Sequence, residues 1–171
     1  VDARLMVYNY SKRRVDTLIF SLNSGLILKN IMINNEKVQF IRTMQIIRVD
    51  LKKPMSPGDS LEIGMQYAGN INENGCYPDK DPLSFDDNFK IQVFTLRKRF
   101  AFLQRNFVCL TRESQWYPVS GTGYASVVPF RYEPDFTNYE LTVRTSPGLT
   151  AISQGEENEP EKGIFTFKPE Y

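Results

Sequence analysis

The acidic side chains are the first candidates for chemistry in this sequence. Four aspartates crowd into the polar stretch 70–88, namely Asp79, Asp81, Asp86 and Asp87. Clustered carboxylates could bind calcium, which prefers several oxygen ligands. The stretch lacks the alternating ligands and central glycine of an EF-hand loop. We therefore favour a long, solvated acidic loop over a calcium site.

Basic side chains cluster twice, as Lys12-Arg13-Arg14 and as Arg97-Lys98-Arg99. Such clusters can hold phosphates, and aromatic residues interleave with the second one. The whole chain is nearly balanced, however, with 21 Lys plus Arg, 20 Asp plus Glu and a formal net charge of +1. We therefore expect a charged turn and a charged strand edge that hinders aggregation, with no nucleic-acid partner and no direct membrane insertion.

Histidine is absent from all 171 residues. This removes the commonest general base, the central member of Ser-His-Asp and Cys-His arrangements, and the commonest zinc ligand. No serine lies in a Gly-x-Ser-x-Gly turn that would make it a nucleophile. We therefore expect no catalytic residue, no metal site and no cofactor in this chain.

The two cysteines, Cys76 and Cys109, leave two interpretations open. They could form one disulfide if the protein resides in an oxidising compartment, or they could be two unpaired, half-buried thiols. Two cysteines are too few for a disulfide scaffold, which slightly favours the unpaired thiols. A zinc site built on them would need carboxylates in addition.

Short strands must position these side chains, because apolar and polar residues alternate along most of the first seventy residues. Leu61, Ile63, Met65 and Tyr67 alternate with polar or small residues in the clearest case, and this period of two is typical of a strand with one buried face. Strands are predicted over residues 3–10, 17–22, 26–33, 37–42, 45–52 and 60–68. In the third of these, Leu26 and Leu28 are expected on one face and Ile31 and Ile33 on the other. Residues 54–59 and 155–162 are predicted turns, and Asn23-Ser24-Gly25 and Asn34-Asn35-Glu36 are predicted hairpin turns.

The strand spacing predicts an all-β fold, a sandwich or saddle of two twisted, mainly antiparallel sheets with a long irregular loop. We expect a single β-sandwich domain over residues 1–171, excised from a longer chain. The irregular segment 113–134 is rich in aromatic residues, among them Trp116, Tyr117, Tyr124 and Tyr132. These could stack on a sugar in a stand-alone carbohydrate-binding or adhesion module, and core packing explains them equally well.

Two stretches resemble a known family. The first carries Leu22, Asn23, Leu26, Pro57, Gly58, Asp59, Tyr67 and Gly69, and the second carries Asp135, Phe136, Tyr139, Leu141, Pro147, Gly148, Ser153 and Gly155. Their order and separation resemble the N-terminal β-domain of the M1 family of gluzincin aminopeptidases. The resemblance implies an accessory domain that packs on a following peptidase-like domain of the same chain and walls its cleft. The zinc-binding His-Glu-x-x-His element would lie in that domain, so zinc is implied only for the parent protein.

The substrate-binding element of the family is only partly matched. The family has Thr-Gln-x-Glu where this chain has LTRESQWYPVSG, with Thr111, Glu113 and Pro118 matching in part and Arg112 replacing the glutamine. The same run resembles divergent M1-like modules fused to bacterial ABC-type permeases. The resemblance thus implies a peptide ligand lined by Glu113, Gln115, Trp116 and Tyr117, and a parent on the extracytoplasmic face of a bacterial membrane.

Overall fold

The computed structural model describes residues 1–73, 101–122 and 139–169. The aspartate cluster, the second basic cluster, Cys76, Tyr124 and Tyr132 lie outside these ranges. The strands are β1 Asp2–Tyr8, β2 Val15–Ser21, β3 Leu26–Ile33, β4 Glu36–Val38, β5 Ile41–Thr43, β6 Ile46–Met55, β7 Ser60–Gly69, β8 Ala101–Leu103, β9 Val108–Leu110, β10 Val119–Ser120, β11 Leu141–Arg144, β12 Glu156–Glu161 and β13 Ile164–Lys168. Within the described ranges, no helix is long and apolar enough to cross a bilayer.

Two four-stranded antiparallel sheets pack face to face in the first of two compact units, which comprises residues 1–102 and 109–130. Their strand orders are β1-β7-β3-β4 and β10-β2-β6-β5. Buried side chains from both sheets form one cluster, comprising Leu18, Phe20, Leu22, Leu26, Leu28, Ile31, Ile47, Val49, Met55, Ile63, Met65 and Tyr67. The predicted all-β, antiparallel fold class is confirmed, although the described strands form more than two sheets.

The second compact unit comprises residues 103–108 and 131–171. It contains a three-stranded antiparallel sheet in the order β11-β13-β12. Leu141 lies opposite Phe167 and Val143 opposite Phe165, so these four side chains share one face, and both phenylalanines are buried. The expectation of a single domain over residues 1–171 stays a prediction.

A β-bulge in β3 corrects the predicted faces of that strand. The pairing of β3 with β7 shifts register between Leu28 and Asn30. An extra residue in one strand reverses which side chains face inward beyond it. Ile31 therefore belongs to the same core as Leu26 and Leu28, and Ile33 packs against it. The expectation that the two isoleucines lie on the opposite face was wrong.

Two predicted turns are partly or wholly strand. Strand β6 continues to Met55, and its register with β2 shifts between Val15 and Thr17. This irregularity accommodates Pro54, which has no N–H to donate to a ladder. Strand β12 replaces the turn predicted over residues 155–162 and pairs with β13 through backbone hydrogen bonds. All of its residues are exposed, so no alternation of apolar and polar residues marks it as a strand.

Tyr67 places a phenol in the core of the first unit. The residue is 1% exposed, and its hydroxyl has no hydrogen-bond partner among the residues that the structure describes. Burial disfavours the phenolate and raises the pKa of Tyr67 from 10.0 to about 12. The unfolded chain therefore releases this proton first when the pH rises, so the contribution of Tyr67 to stability is complete below about pH 10 and is lost as the pH rises towards 12.

Replacing Tyr67 by phenylalanine should remove this pH dependence. Below pH 10 the Tyr67→Phe variant should be at least as stable as the unmodified chain, because an unpartnered buried hydroxyl costs about 1–3 kcal/mol. Between pH 10 and 12 the free energy of unfolding of the unmodified chain should fall by up to about 2–3 kcal/mol relative to that of the variant, at about 1.4 kcal/mol per pKa unit. Urea unfolding of both proteins at a series of pH values measures the difference. Tyr8→Phe, at an exposed position, is the matched control, and equal pH profiles for all three proteins would contradict the assignment.

Candidate functional site

The predicted peptide-lining residues lie on one short segment between β9 and β10. It contains a single turn of 3-10 helix, Arg112–Ser114, which ends at Gln115 in the left-handed conformation (φ 52°). The backbone N–H of Ser114 donates to the Thr111 carbonyl (3.1 Å), and that of Gln115 donates to the Arg112 carbonyl (2.9 Å). The Ser114 hydroxyl also donates to the Thr111 carbonyl (2.6 Å). Tight local bonding therefore fixes the shape of this segment.

Asn23 anchors the segment to the sandwich, and its side chain is fully buried. The Nδ2 atom donates to the carbonyl oxygens of Ser114 (2.8 Å) and Asn72 (3.0 Å). The Oδ1 atom accepts hydrogen bonds from the backbone N–H groups of Asn72 (2.7 Å) and Gly25 (3.0 Å). Both donors and both acceptor sites of the amide are thus used. We call this arrangement the Asn23 junction.

The backbone of Asn23 adds a further link. Its N–H donates to the Gln115 carbonyl (2.8 Å), and its own carbonyl accepts from the Leu26 N–H (3.0 Å). The junction therefore connects the β2–β3 turn, the residues after β7 and the 3-10 turn. The sequence predicted a hairpin turn at Asn23-Ser24-Gly25 but gave no sign that the asparagine also bonds to residues 49 and 91 positions away along the chain.

Glycine is required where the β2–β3 turn meets the end of β7. A Cβ atom on Gly25 would overlap the carbonyl oxygen of Asn70, and one on Gly69 would overlap the carbonyl oxygen of Gly25. Gly69 also has φ 143°, a value that residues with a Cβ rarely adopt. The two chain segments can approach this closely only because both positions lack a side chain.

Arg42 satisfies the carbonyl groups on the other side of the turn. Its Nη1 atom donates to the Leu26 carbonyl and its Nη2 atom to the Asn23 carbonyl (2.8 Å), while Nε donates to the Met44 carbonyl (2.8 Å). Partial burial lowers the pKa of the Arg42 guanidinium. This arginine was missed as a functional residue because nothing in the local sequence indicates carbonyl groups about 20 residues away as its partners.

The four predicted lining residues differ in what they can offer a ligand. Glu113 is half-buried and carries the one carboxylate of the 3-10 turn. Gln115 is only 2% exposed, and its Oε1 atom has no hydrogen-bond partner within the described ranges. Trp116 and Tyr117 are half-buried and meet edge to face, with ring centroids 4.9 Å apart at 80°. Their role as substrate-lining residues stays a prediction.

The described ranges contain no set of side chains that could bind a metal ion. No group of three or more Cys, Asp or Glu side chains there could hold a metal ion, and the sequence supplies no histidine. Within the described ranges Cys109 is an exposed free thiol, so its expected half-burial was wrong, and its pairing with Cys76, which lies outside these ranges, stays an open prediction. These residues do not fit a zinc centre. The segment can instead offer hydrogen bonds, one carboxylate and aromatic surface.

Comparisons with known proteins find the same fold in zinc peptidases. No family model and no curated protein matches the sequence. Among solved structures, the chain is similar to a mutant two-domain M1 zinc metallopeptidase bound to L-arginine, with 17% identity and a TM-score of 0.60. It is also similar to an M1 zinc metallopeptidase from Deinococcus radiodurans, with 16% identity and a TM-score of 0.59.

In both cases the match covers 99% of this chain but only 34% of the other chain. The chain therefore spans about a third of the length of the peptidases it resembles. At 16–17% identity the likeness establishes the fold but not the activity.

Replacing Asn23 by alanine should destabilise the first unit strongly. The change leaves the buried partners of the side-chain amide unsatisfied, and we expect a loss of about 2–4 kcal/mol. Asn30→Ala is the matched control. Within the described ranges the half-buried Asn30 side chain makes one hydrogen bond, to Gln66 Oε1 (2.7 Å), and its Oδ1 atom lacks a partner, so its removal should cost about 1 kcal/mol or less. Urea unfolding followed by tryptophan fluorescence measures both. Equal losses for the two variants would show that the junction has no special weight.

Proposed function

We propose that this chain is a non-catalytic accessory β-domain of an M1 zinc-metallopeptidase-like protein. The observation that carries the proposal is the likeness in fold across 99% of this chain to only a third of such peptidases. The absence of histidine from all 171 residues supports it, since a zinc peptidase needs imidazole ligands that this chain cannot supply. The catalytic domain, with its zinc, would then be the following part of the same protein.

In this proposal the domain packs on the catalytic domain and lines one side of its peptide cleft. The segment Thr111–Pro118 would form that wall, with the Glu113 carboxylate facing the positively charged end of a peptide. The Asn23 junction supports this role, because a wall that positions a substrate must hold its backbone in place. Gln115 would support the wall from beneath, since it is buried.

A finer version of the proposal adds a membrane transporter. The resemblance of LTRESQWYPVSG to modules fused to ABC-type permeases would attach the same domain to membrane-spanning segments elsewhere in the parent protein. The likeness to solved peptidases does not bear on this fusion. The parent reading frame decides between the two: His-Glu-x-x-His downstream indicates a peptidase, and long apolar segments beside the domain indicate a permease.

The chain by itself should not hydrolyse peptides. Leucine and arginine p-nitroanilides, incubated with the purified chain with and without added Zn²⁺, should be cleaved no faster than in buffer. The longer parent protein serves as the comparison, and there Glu113→Gln should raise KM by about tenfold or more, because a hydrogen bond to a charged group contributes about 1.5–3 kcal/mol and about 1.4 kcal/mol corresponds to a factor of ten. Zinc-dependent turnover by the chain alone would overturn the proposal.

Substituting Trp116 distinguishes between two functions for this chain, an accessory domain and a sugar-binding module. Trp116→Ala should lower stability by about 1–3 kcal/mol, because the half-buried indole loses its contact with Tyr117. Neither the unmodified chain nor the variant should bind any glycan of a panel. Glycan binding by the unmodified chain that is abolished in Trp116→Ala would instead establish the carbohydrate-binding module.

A further inference from the structure

The connection between β1 and β2 presents an exposed aromatic pair beside three consecutive cations. Tyr10 is 89% exposed and Tyr8 is 51% exposed. Their rings stack with centroids 5.7 Å apart and an angle of 25° between the planes. Lys12, Arg13 and Arg14 follow directly and are all exposed. We call this surface the Tyr–Arg corner, and the proposed peptide wall does not use it.

Asn9 holds the backbone of the corner in a defined shape. Asn9 is buried, and its Nδ2 atom donates to the carbonyl oxygens of Arg13 (2.8 Å) and Met55 (3.1 Å). Its Oδ1 atom accepts from both the backbone N–H (3.1 Å) and the hydroxyl (2.7 Å) of Ser11. The Ser11 hydroxyl oxygen in turn accepts from the backbone N–H of Arg13 (3.3 Å). The turn is therefore ordered before any partner arrives, which reduces the entropy lost on binding.

The cations of the corner have no acidic partner in the part of the chain that the structure describes. Both ion pairs found there, Arg48–Asp50 and Lys52–Glu36, lie elsewhere. Asp59, whose carbonyl accepts from the Asn9 N–H, directs its carboxylate to the backbone N–H of Ser56 (2.7 Å). Asp16, two residues beyond Arg14, is exposed and forms no ion pair with the corner in the described ranges, so the three cations remain available to a partner.

The composition of the surface matches that of protein interfaces. Met6 is 53% exposed and precedes Tyr8 by two residues on β1, so both side chains point to the same side of the strand. Tyrosine, arginine and methionine are the residue types enriched at the centres of protein–protein interfaces. Scattered exposed apolar residues need no explanation, but here they adjoin a rigid, unpaired cationic turn.

We propose that the Tyr–Arg corner binds an acidic segment of a protein partner. Carboxylates of that segment would pair with the guanidinium groups of Arg13 and Arg14, whose planar donors suit carboxylates. An apolar or aromatic side chain of the partner would cover the outer face of Tyr10. The proposal is independent of the proposed peptidase-related function.

A protein partner fits the corner better than nucleic acid or lipid does. Single-stranded nucleic acid is held along a basic groove with several stacking platforms, whereas the corner is one turn with one stacked pair. Anionic membranes are recognised by clusters of about four to eight cations, whereas three cations lie here. Both alternatives become measurable outcomes of the same experiment.

An NMR titration with a capped peptide, Glu-Glu-Glu-Trp-Glu-Glu-Glu, tests the proposal. Amide chemical shifts of residues 8–14 in the ¹⁵N-labelled chain should change and saturate at low salt. The double variant Arg13→Gln/Arg14→Gln and the variant Tyr10→Ser should each weaken binding by about tenfold. The matched control Lys29→Gln/Lys37→Gln removes the same charge from exposed positions of β3 and β4 and should leave affinity unchanged. A peptide with glutamine in place of glutamate should not bind.

Three outcomes would overturn the proposal. The first is the absence of saturable shifts at residues 8–14. The second is an equal loss of affinity in the Lys29/Lys37 control, which would mean that net charge alone attracts the peptide. The third is tighter binding at the same residues by oligo(dT) or by phosphatidylserine vesicles than by the peptide, which would assign the corner to nucleic acid or lipid. None of these outcomes bears on whether the chain is a peptidase accessory domain.

Discussion

A buried amide must satisfy two donors and two acceptors, and this requirement at Asn23 governs how the first unit is assembled. Water cannot supply the partners, because the side chain is fully buried. The Asn23 junction therefore forms only when Asn72 and Ser114 bring their backbone groups to it. Two segments far apart in sequence are thereby held against the β2–β3 turn. Local hydrogen bonds shape the 3-10 turn, and the Asn23 side chain fixes where that turn lies against the sandwich.

The junction satisfies its backbone groups but leaves neighbouring side chains incompletely bonded. The Gln45 carbonyl accepts from the Leu22 N–H (2.9 Å), and the Gln115 carbonyl accepts from the Asn23 N–H (2.8 Å). Both glutamine side chains are buried, yet Gln45 Nε2 and Gln115 Oε1 lack hydrogen-bond partners in the part of the chain that the structure describes. The backbone of Gln115 also adopts the left-handed conformation (φ 52°). Strain and unpaired polar atoms of this kind are often found at functional sites, and here they adjoin the segment proposed to face a peptide.

The sequence predicted those features that depend on neighbouring residues. The alternation that predicted strand β7 holds, with Ile63, Met65 and Tyr67 all buried. The turn expected at Asn34-Asn35 has positive φ at both residues, as tight hairpins require. The bulge in β3 and the strand β12 were not predictable in this way. The bulge depends on pairing with β7, and β12 pairs through its backbone alone. The partners of Asn23 were out of reach for the same reason, since they come from distant segments.

In the proposed role, a domain without imidazole contributes to catalysis through position. General acid–base chemistry depends on a side chain whose pKa lies near the working pH, and the described residues with a shifted pKa are not of this kind. Burial moves the pKa of Tyr67 to about 12, away from neutrality, and the Arg42 guanidinium serves to bind carbonyl groups. The proposed contribution is preorganisation. A wall held in a fixed position reduces the translational and rotational entropy that the substrate must still lose to reach a reactive geometry. The Asn23 junction provides such rigidity through backbone contacts, so the side chains of the wall could change while its shape is retained. The partial match of LTRESQWYPVSG to the M1 pattern, on a fold similar to that of solved M1 peptidases, is consistent with this division between shape and side-chain chemistry.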